Sequence, residues 1–118
     1  MHETSLAYDM LEIIKGVARD NSAQRVSVAR AEIGELTCID SDALTFAFEA
    51  VCRGTVAEGC ALKIDRLPLI ISCATCDFEG PADHELLGCP SCGAVGARLL
   101  SGREMRLVSI DVEDEDDA

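Results

Sequence analysis

A chain of 118 residues is long enough for one ordinary domain, plus at most a small module that carries its own staple. With 48% hydrophobic and 27% charged residues it has the proportions of a chain folding around a core, which excludes bulk disorder. A formal charge of −12 and only four aromatic residues, Tyr8, Phe46, Phe48 and Phe78, argue against nucleic acid and anionic membrane as partners. Both are bound largely by neutralising phosphates, and bases also by aromatic stacking.

The first element is a helix, since Leu6, Met10, Ile13, Ile14 and Val17 recur at helical spacing. Thr4 or Ser5 is placed to cap it and Asp20-Asn21-Ser22 to end it. From Arg25 the period becomes two, with Val26 and Val28 on one face and Ser27, Ala29, Ala31 and Ile33 on the other, closed by Gly34. Asp40 or Ser41 then caps a second helix with the stripe Leu44, Ala47, Phe48 and Val51, stopping near Gly54. Leu62 and Ile64 alternate with Lys63 and Asp65 in a second strand, and Pro68 marks its exit. After a cysteine-rich insertion, Gly102 precedes a third strand over 105–112. The order predicts an α+β fold: two helices on a small three-stranded sheet, with a zinc-ribbon-like insertion hinged near Pro68 and Gly102.

Six of the 22 acids fall in the last eight residues, from Asp111 to Asp117, and such a run is expected to stay solvated as a disordered tail. The chain holds no apolar run of the ~20 residues needed to span a bilayer, and Met1-His2-Glu3-Thr4 lacks the basic start of a signal peptide. A cytoplasmic location is therefore expected, where thiols stay reduced and serve metals more often than disulfides.

Cys73-Ala74-Thr75-Cys76 and Cys89-Pro90-Ser91-Cys92 are two C-x-x-C pairs with 12 residues between them. Two intervening residues let the chain turn so that both sulfurs approach one ion from the same side, and four thiolates make a closed tetrahedral zinc site. Gly93 allows the positive φ that finishes such a turn. The 69–100 region is too short to build a core of its own, whereas zinc binding contributes on the order of 10 kcal/mol of folding free energy. A mononuclear iron site of the rubredoxin kind uses the same knuckles and is the competing occupant. Between the knuckles lie Asp77, Glu79, Asp83 and Glu85 without Lys or Arg, which speaks against a nucleic-acid ribbon. Cys38, Cys52 and Cys60 match no ligand template and read as small buried hydrophobes, and His84 as a loop histidine.

The amino terminus offers different chemistry. A histidine at position two can present the terminal amine of Met1, its own backbone nitrogen and its ring Nδ1 in fused chelate rings, with Glu3 adding a further backbone nitrogen or a carboxylate. Planar nitrogen donors of this kind suit Ni²⁺ and Cu²⁺ rather than zinc. No nucleophilic triad, catalytic carboxylate pair or Gly-rich phosphate loop is present in the sequence, so the chain does not read as an enzyme.

Met1-His2-Glu3, Ile33-Gly34-Glu35-Leu36, Ala47-Phe48-Glu49, the Cys73/Cys76 and Cys89/Cys92 pairs with Cys-Pro-Ser-Cys-Gly, and Ser101-Gly102-Arg103-Glu104 together resemble the hydrogenase nickel-incorporation (HypA-type) metallochaperone family. The resemblance covers nearly the whole chain. It implies a nickel-binding α/β domain, here 1–68 plus 101–112, interrupted by a zinc-binding domain, here 69–100, and leaves outside it the acidic tail over 113–118. It also implies nickel as cargo on His2, Met1 and Glu3, structural zinc on Cys73, Cys76, Cys89 and Cys92, and delivery to the large subunit of nickel–iron hydrogenase with a GTPase partner, in some members also to urease. Asp77 stands where a glycine is often found after the first knuckle, which predicts that the two knuckles turn differently. The alternative to a nickel carrier is a zinc-ribbon protein-interaction module without nickel function, and after it a rubredoxin-like electron carrier.

Overall fold

The structure is a computed structural model that describes residues 2–82 and 88–113. Its elements are α1 (His2–Asp20), β1 (Arg25–Gly34), a 3-10 turn (Glu35–Thr37), α2 (Ser41–Cys52), β2 (Ala61–Leu67), β3 (Ile70–Ser72), β4 (Glu79–Pro81), β5 (Arg98–Ser101) and β6 (Met105–Glu113). Two three-stranded sheets form, ordered β2-β1-β6 and β4-β3-β5. The expected fold class, two helices with small sheets and a cysteine-bearing insertion, is what the chain adopts.

The chain divides into two compact units. The first comprises Met1–Ala31, Ile39–Ile64 and Leu107–Ala118, the second Glu32–Cys38 and Asp65–Arg106. In the first unit α1 packs against α2. The buried face of α1 is Ala7, Met10, Leu11, Ile14 and Ala18, turned from the expected stripe so that Ile13 and Val17 are left 53% and 39% exposed. Choosing the largest apolar residues misplaced the contact face. Alanines at 7 and 18 keep the buried face of α1 small at two positions, a pattern that hydrophobicity alone does not rank first. On α2 the stripe is Leu44, Phe48 and Cys52, with Ala47 and Val51 at its half-buried margin. Phe48 is fully buried, and losing such a ring costs about 3–5 kcal/mol.

The caps follow local hydrogen-bonding chemistry. Asp40 caps α2, its Oδ1 accepting the amides of Asp42 at 2.9 Å and Ala43 at 3.1 Å. Helix α1 begins at His2, ahead of Thr4 and Ser5, so neither residue is its cap, and Glu3 places an acid in its first turn, where the helix dipole favours one. In β1 the buried side chains are Val26, Ala29, Ala31 and Ile33, and Gly34 is buried at its end. The alternation shifts phase after Val26, whose amide bonds to Val56 O at 2.9 Å. Glu113 ends β6, and its carbonyl accepts the Gln24 amide at 3.0 Å, one residue into the segment expected to be tail. The rest of that segment, 114–118, lies outside the described residues, as do Met1 and His84.

Within the second unit, two glycines meet. The Gly34 amide donates to Glu104 O at 2.7 Å, the Leu36 amide to Gly102 O at 2.8 Å, and the Gly102 amide to Glu104 Oε1 at 2.8 Å. A Cβ at Gly34 would overlap the Gly102 carbonyl and come within 2.7 Å of the Arg103 nitrogen, while Gly102 itself has φ 128 with Leu69 packed against it. Only backbone fits in that space. Gly34→Ala is expected to destabilise the protein by about 3 kcal/mol, the upper part of the overpacking range, read as a lower midpoint in urea.

Candidate metal centre

The β4-β3-β5 sheet is the platform for the cysteines. β3 pairs antiparallel with β4 through Ile71 opposite Gly80, and with β5 through Ile71 opposite Leu99, with a register irregularity at Ile70/Ile71. Its base is tied by Ser101 Oγ donating to Pro68 O at 2.9 Å and the Ala82 amide donating to Leu69 O at 3.0 Å. Cys73 directly follows β3.

The two knuckles are built alike. The Asp77 amide bonds to Cys73 O at 3.0 Å and the Gly93 amide to Cys89 O at 2.8 Å; the Cys73 amide bonds to Phe78 O at 2.7 Å and the Cys89 amide to Ala94 O at 2.9 Å. The expectation of different turns is thereby corrected, because Asp77 takes φ 61 where Gly93 takes φ 78. A short polar side chain visits the left-handed region at a cost that glycine does not incur.

All four sulfurs lie within 4.8 Å of one another, with Cys73 Sγ 3.7 Å from Cys92 Sγ and Cys76 Sγ 3.6 Å from Cys89 Sγ. A tetrahedron of Zn–S bonds of about 2.3 Å has edges of about 3.8 Å. The donor set therefore fits a four-coordinate thiolate metal, and no fifth ligand is needed. Cys73 and Cys89 are buried, whereas Cys76 and Cys92 reach the surface.

Backbone amides favour ionised sulfur here. The Cys76 and Thr75 amides hold the Cys73 thiol down to about 6. At Cys89 burial works against ionisation, but the Cys92 and Ser91 amides prevail and lower it. At Cys92 the Ala94 amide favours the thiolate, but the neighbouring Cys76 sulfur and burial outweigh it and push that thiol up to about 12. Four thiolates this close cannot all ionise without a cation, so ligation is what releases the last proton.

The other sulfurs divide. Cys52 and Cys60 are buried as expected, and burial followed by the nearby Cys60 raises the Cys52 thiol to about 11. Cys38 departs from expectation: it is exposed, with φ 58 at the end of the 3-10 turn. His2 is exposed at the start of α1, and Glu3 Oε2 accepts the Asp40 amide at 3.2 Å.

The family described as hydrogenase/urease nickel incorporation, metallochaperone, hypA matches residues 1–112. The chain belongs to that family. It is 39% identical over 114 residues to the hydrogenase maturation factor HypA of Syntrophus aciditrophicus, covering 96% of this chain and 100% of that protein. It is 36% identical over 116 residues to the HypA of Roseiflexus sp., covering 98% and 94%. A solution structure of a HypA protein superposes with a TM-score of 0.72 at 25% identity, covering 98% of both chains. The solution structure of the Ni metallochaperone HypA from Helicobacter pylori shares the fold, with a TM-score of 0.68 at 23% identity over 96% of this chain and 98% of that one. The family is one of nickel metallochaperones for hydrogenase maturation and is not catalytic.

The glycine contact at 34 and 102 is what sequence reading missed as a physical feature. Its residues were legible as short motifs of the family, but nothing in their spacing announced that the two backbones touch.

Removing one sulfur tests the centre. Cys89→Ser is expected to abolish stoichiometric metal and unfold the second unit, with the helical signal of α1 and α2 largely kept, as read by elemental analysis and far-UV circular dichroism. Asp77→Gly, which relieves the left-handed residue, is expected to gain about 1 kcal/mol and to slow metal loss to a chelator.

Proposed function

We propose that this protein carries Ni(II) on its amino terminus and delivers it for maturation of nickel–iron hydrogenase, with urease as a further destination. The donors are the His2 Nδ1 and backbone nitrogen, the Met1 amine and the Glu3 backbone nitrogen. Zinc on Cys73, Cys76, Cys89 and Cys92 is structural. The nickel-binding domain is 1–68 plus 101–112 and the zinc-binding domain 69–100. Delivery is to the hydrogenase large subunit, with a GTPase partner, in the cytoplasm.

The observation that carries this reading is the position of His2, exposed as the first residue of α1. The first four amides of a helix have no acceptor within it, so the backbone nitrogens of His2 and Glu3 lie outside the helical ladder and can give up their protons to nickel. The Glu3 carboxylate has a partner in the Asp40 amide, so Glu3 contributes through its backbone. Family membership supports the cargo, and among the described residues no helix is long and apolar enough to cross a membrane.

Ni²⁺ takes planar nitrogen donors, which zinc gains little from, and thiolate cages take zinc. Protons compete with the metal for the amine and for the imidazole. Both donors bind metal only when deprotonated, so nickel affinity falls as pH falls. Such a site releases its load, as a carrier must.

His2→Ala is expected to weaken nickel binding by orders of magnitude with thermal stability and tightly bound metal unchanged. Residues added before Met1 turn the amine into a peptide nitrogen and are expected to do the same. Nickel titration of the three chains at one near-neutral pH checks this; equal affinity would refute the amino-terminal site and favour the zinc-ribbon interaction module.

A further inference from the structure

Two thiols of the first unit take part in neither metal site. Cys52 ends α2 on its buried face, in one stripe with Leu44 and Phe48, and Cys60 directly precedes β2. They are 1% and 4% exposed. The segment between them curls into linked turns: Cys52 O accepts the Thr55 amide at 3.1 Å and Thr55 Oγ1 at 2.6 Å, Thr55 O accepts the Glu58 amide at 3.1 Å, and Ala57 O accepts the Cys60 amide at 3.0 Å. Ala57 is fully buried, while Gly54 and Gly59 take φ 75 and 77, reversing the chain just inside each cysteine. The loop is folded back on itself, with a buried thiol at either end.

We propose that Cys52 and Cys60 are a thiol–disulfide pair, which a small disulfide of the glutathione class oxidises to one internal bond tying the end of α2 to the start of β2. This does not depend on where nickel binds. The two sulfurs are near enough to sense one another. Burial pushes the Cys60 thiol up, and at Cys52 burial and then the nearness of Cys60 push the thiol up to about 11. Neither is held as a thiolate near neutrality, so the reduced pair lacks the stabilisation that makes low-pKa pairs strong oxidants. The bond forms slowly and, once made, resists reduction.

Access comes from the outer side of the loop. An open cavity of about 520 Å³ is lined there by Gln24, Arg25, Thr55, Val56, Glu58 and Gly59. A Cβ at Gly59 would stand 3.7 Å from Arg25 Nη2, so a guanidinium lies beside the backbone next to Cys60. Its ion pair with Glu113 is long, at 3.8 Å, and leaves the Arg25 side chain 57% exposed. Glutathione disulfide carries carboxylates that such a cation attracts. The Cys60 thiol gives its proton to solvent and its sulfur attacks one sulfur of that disulfide; the external S–S bond breaks, and one glutathione leaves as a thiolate and takes up a proton. Cys52 then loses its proton and attacks the Cys60 sulfur, expelling the second glutathione in the same way. Two protein thiols are oxidised by two electrons, and one external disulfide is reduced to two thiols.

The test treats the full, zinc-loaded Cys38→Ser chain with excess glutathione disulfide, blocks the remaining thiols and digests with trypsin. Cleavage after Arg53 leaves Cys52 in 31–53 and Cys60 in 54–63, so only a disulfide holds the two peptides together; Cys38 would share the first peptide, hence its substitution. The expected result is the linked pair with zinc content unchanged. The melting temperature rises by roughly 5–10 °C, as closing a short loop predicts, and falls back on reduction with dithiothreitol. Adding Cys52→Ala or Cys60→Ala removes both the link and the rise. Separate peptides after equilibration overturn the proposal. So does loss of zinc before the link appears, or a rise in melting temperature that survives Cys52→Ala.

Discussion

Four sulfurs stand where the second unit would otherwise need a hydrophobic core. Its buried apolar residues, among those described, are Ile33, Leu69 and Ile71 together with the thiols of Cys73 and Cys89 themselves. Strands of three, three and four residues cannot hold such a set in place by burial alone. What organises them is convergence of the knuckles, each closed by the same pair of backbone hydrogen bonds and each directing amides toward sulfur. Burial and like charge make the final thiolate expensive until a cation is present, so metal and fold are one equilibrium here.

The first unit rests on a different principle. Alanines at 7 and 18 are part of the buried face of α1, Phe48 and Leu44 of that of α2, and among the described residues no charged side chain is buried there. Of the first turn of α1, Glu3 is tied to the cap of α2 through the Asp40 amide, while His2 lies outside the packed face. His2 can therefore be given over to ligand chemistry at small cost, since it is exposed and contributes nothing to the apolar face.

Periodicity made both helices and strands β1 and β2 legible, and β6 was legible as an apolar run after Gly102. It failed on which face of α1 is buried, where Ala7 and Ala18 join Met10, Leu11 and Ile14 in place of Ile13 and Val17, and on the phase of β1, where a bond from Val26 to the loop at Val56 interrupts alternation. The four cysteines were legible as a set because C-x-x-C is a property of local geometry. Their strand platform was not, since strands of three or four residues carry too few alternations to register. The equivalence of the knuckles was hidden by Asp77, which holds a glycine-like φ through tolerance rather than preference. Contacts such as Gly34 on Gly102 join residues far apart in sequence, and no local pattern encodes them.

On the proposed reading the two metals are told apart by what their donors are. Soft thiolates, four of them and closed, leave no position for exchange by an incoming ligand, whereas backbone and imidazole nitrogens at an exposed chain end are open to attack and to protonation. A metal that must leave is best held by donors that a proton or a competing ligand can displace one at a time. A metal that holds a fold is best held where losing one donor costs the whole unit. Placing the first kind of site on the packed unit and the second on the unit without a core lets cargo come and go without unfolding anything, and the reverse arrangement would make every delivery a denaturation.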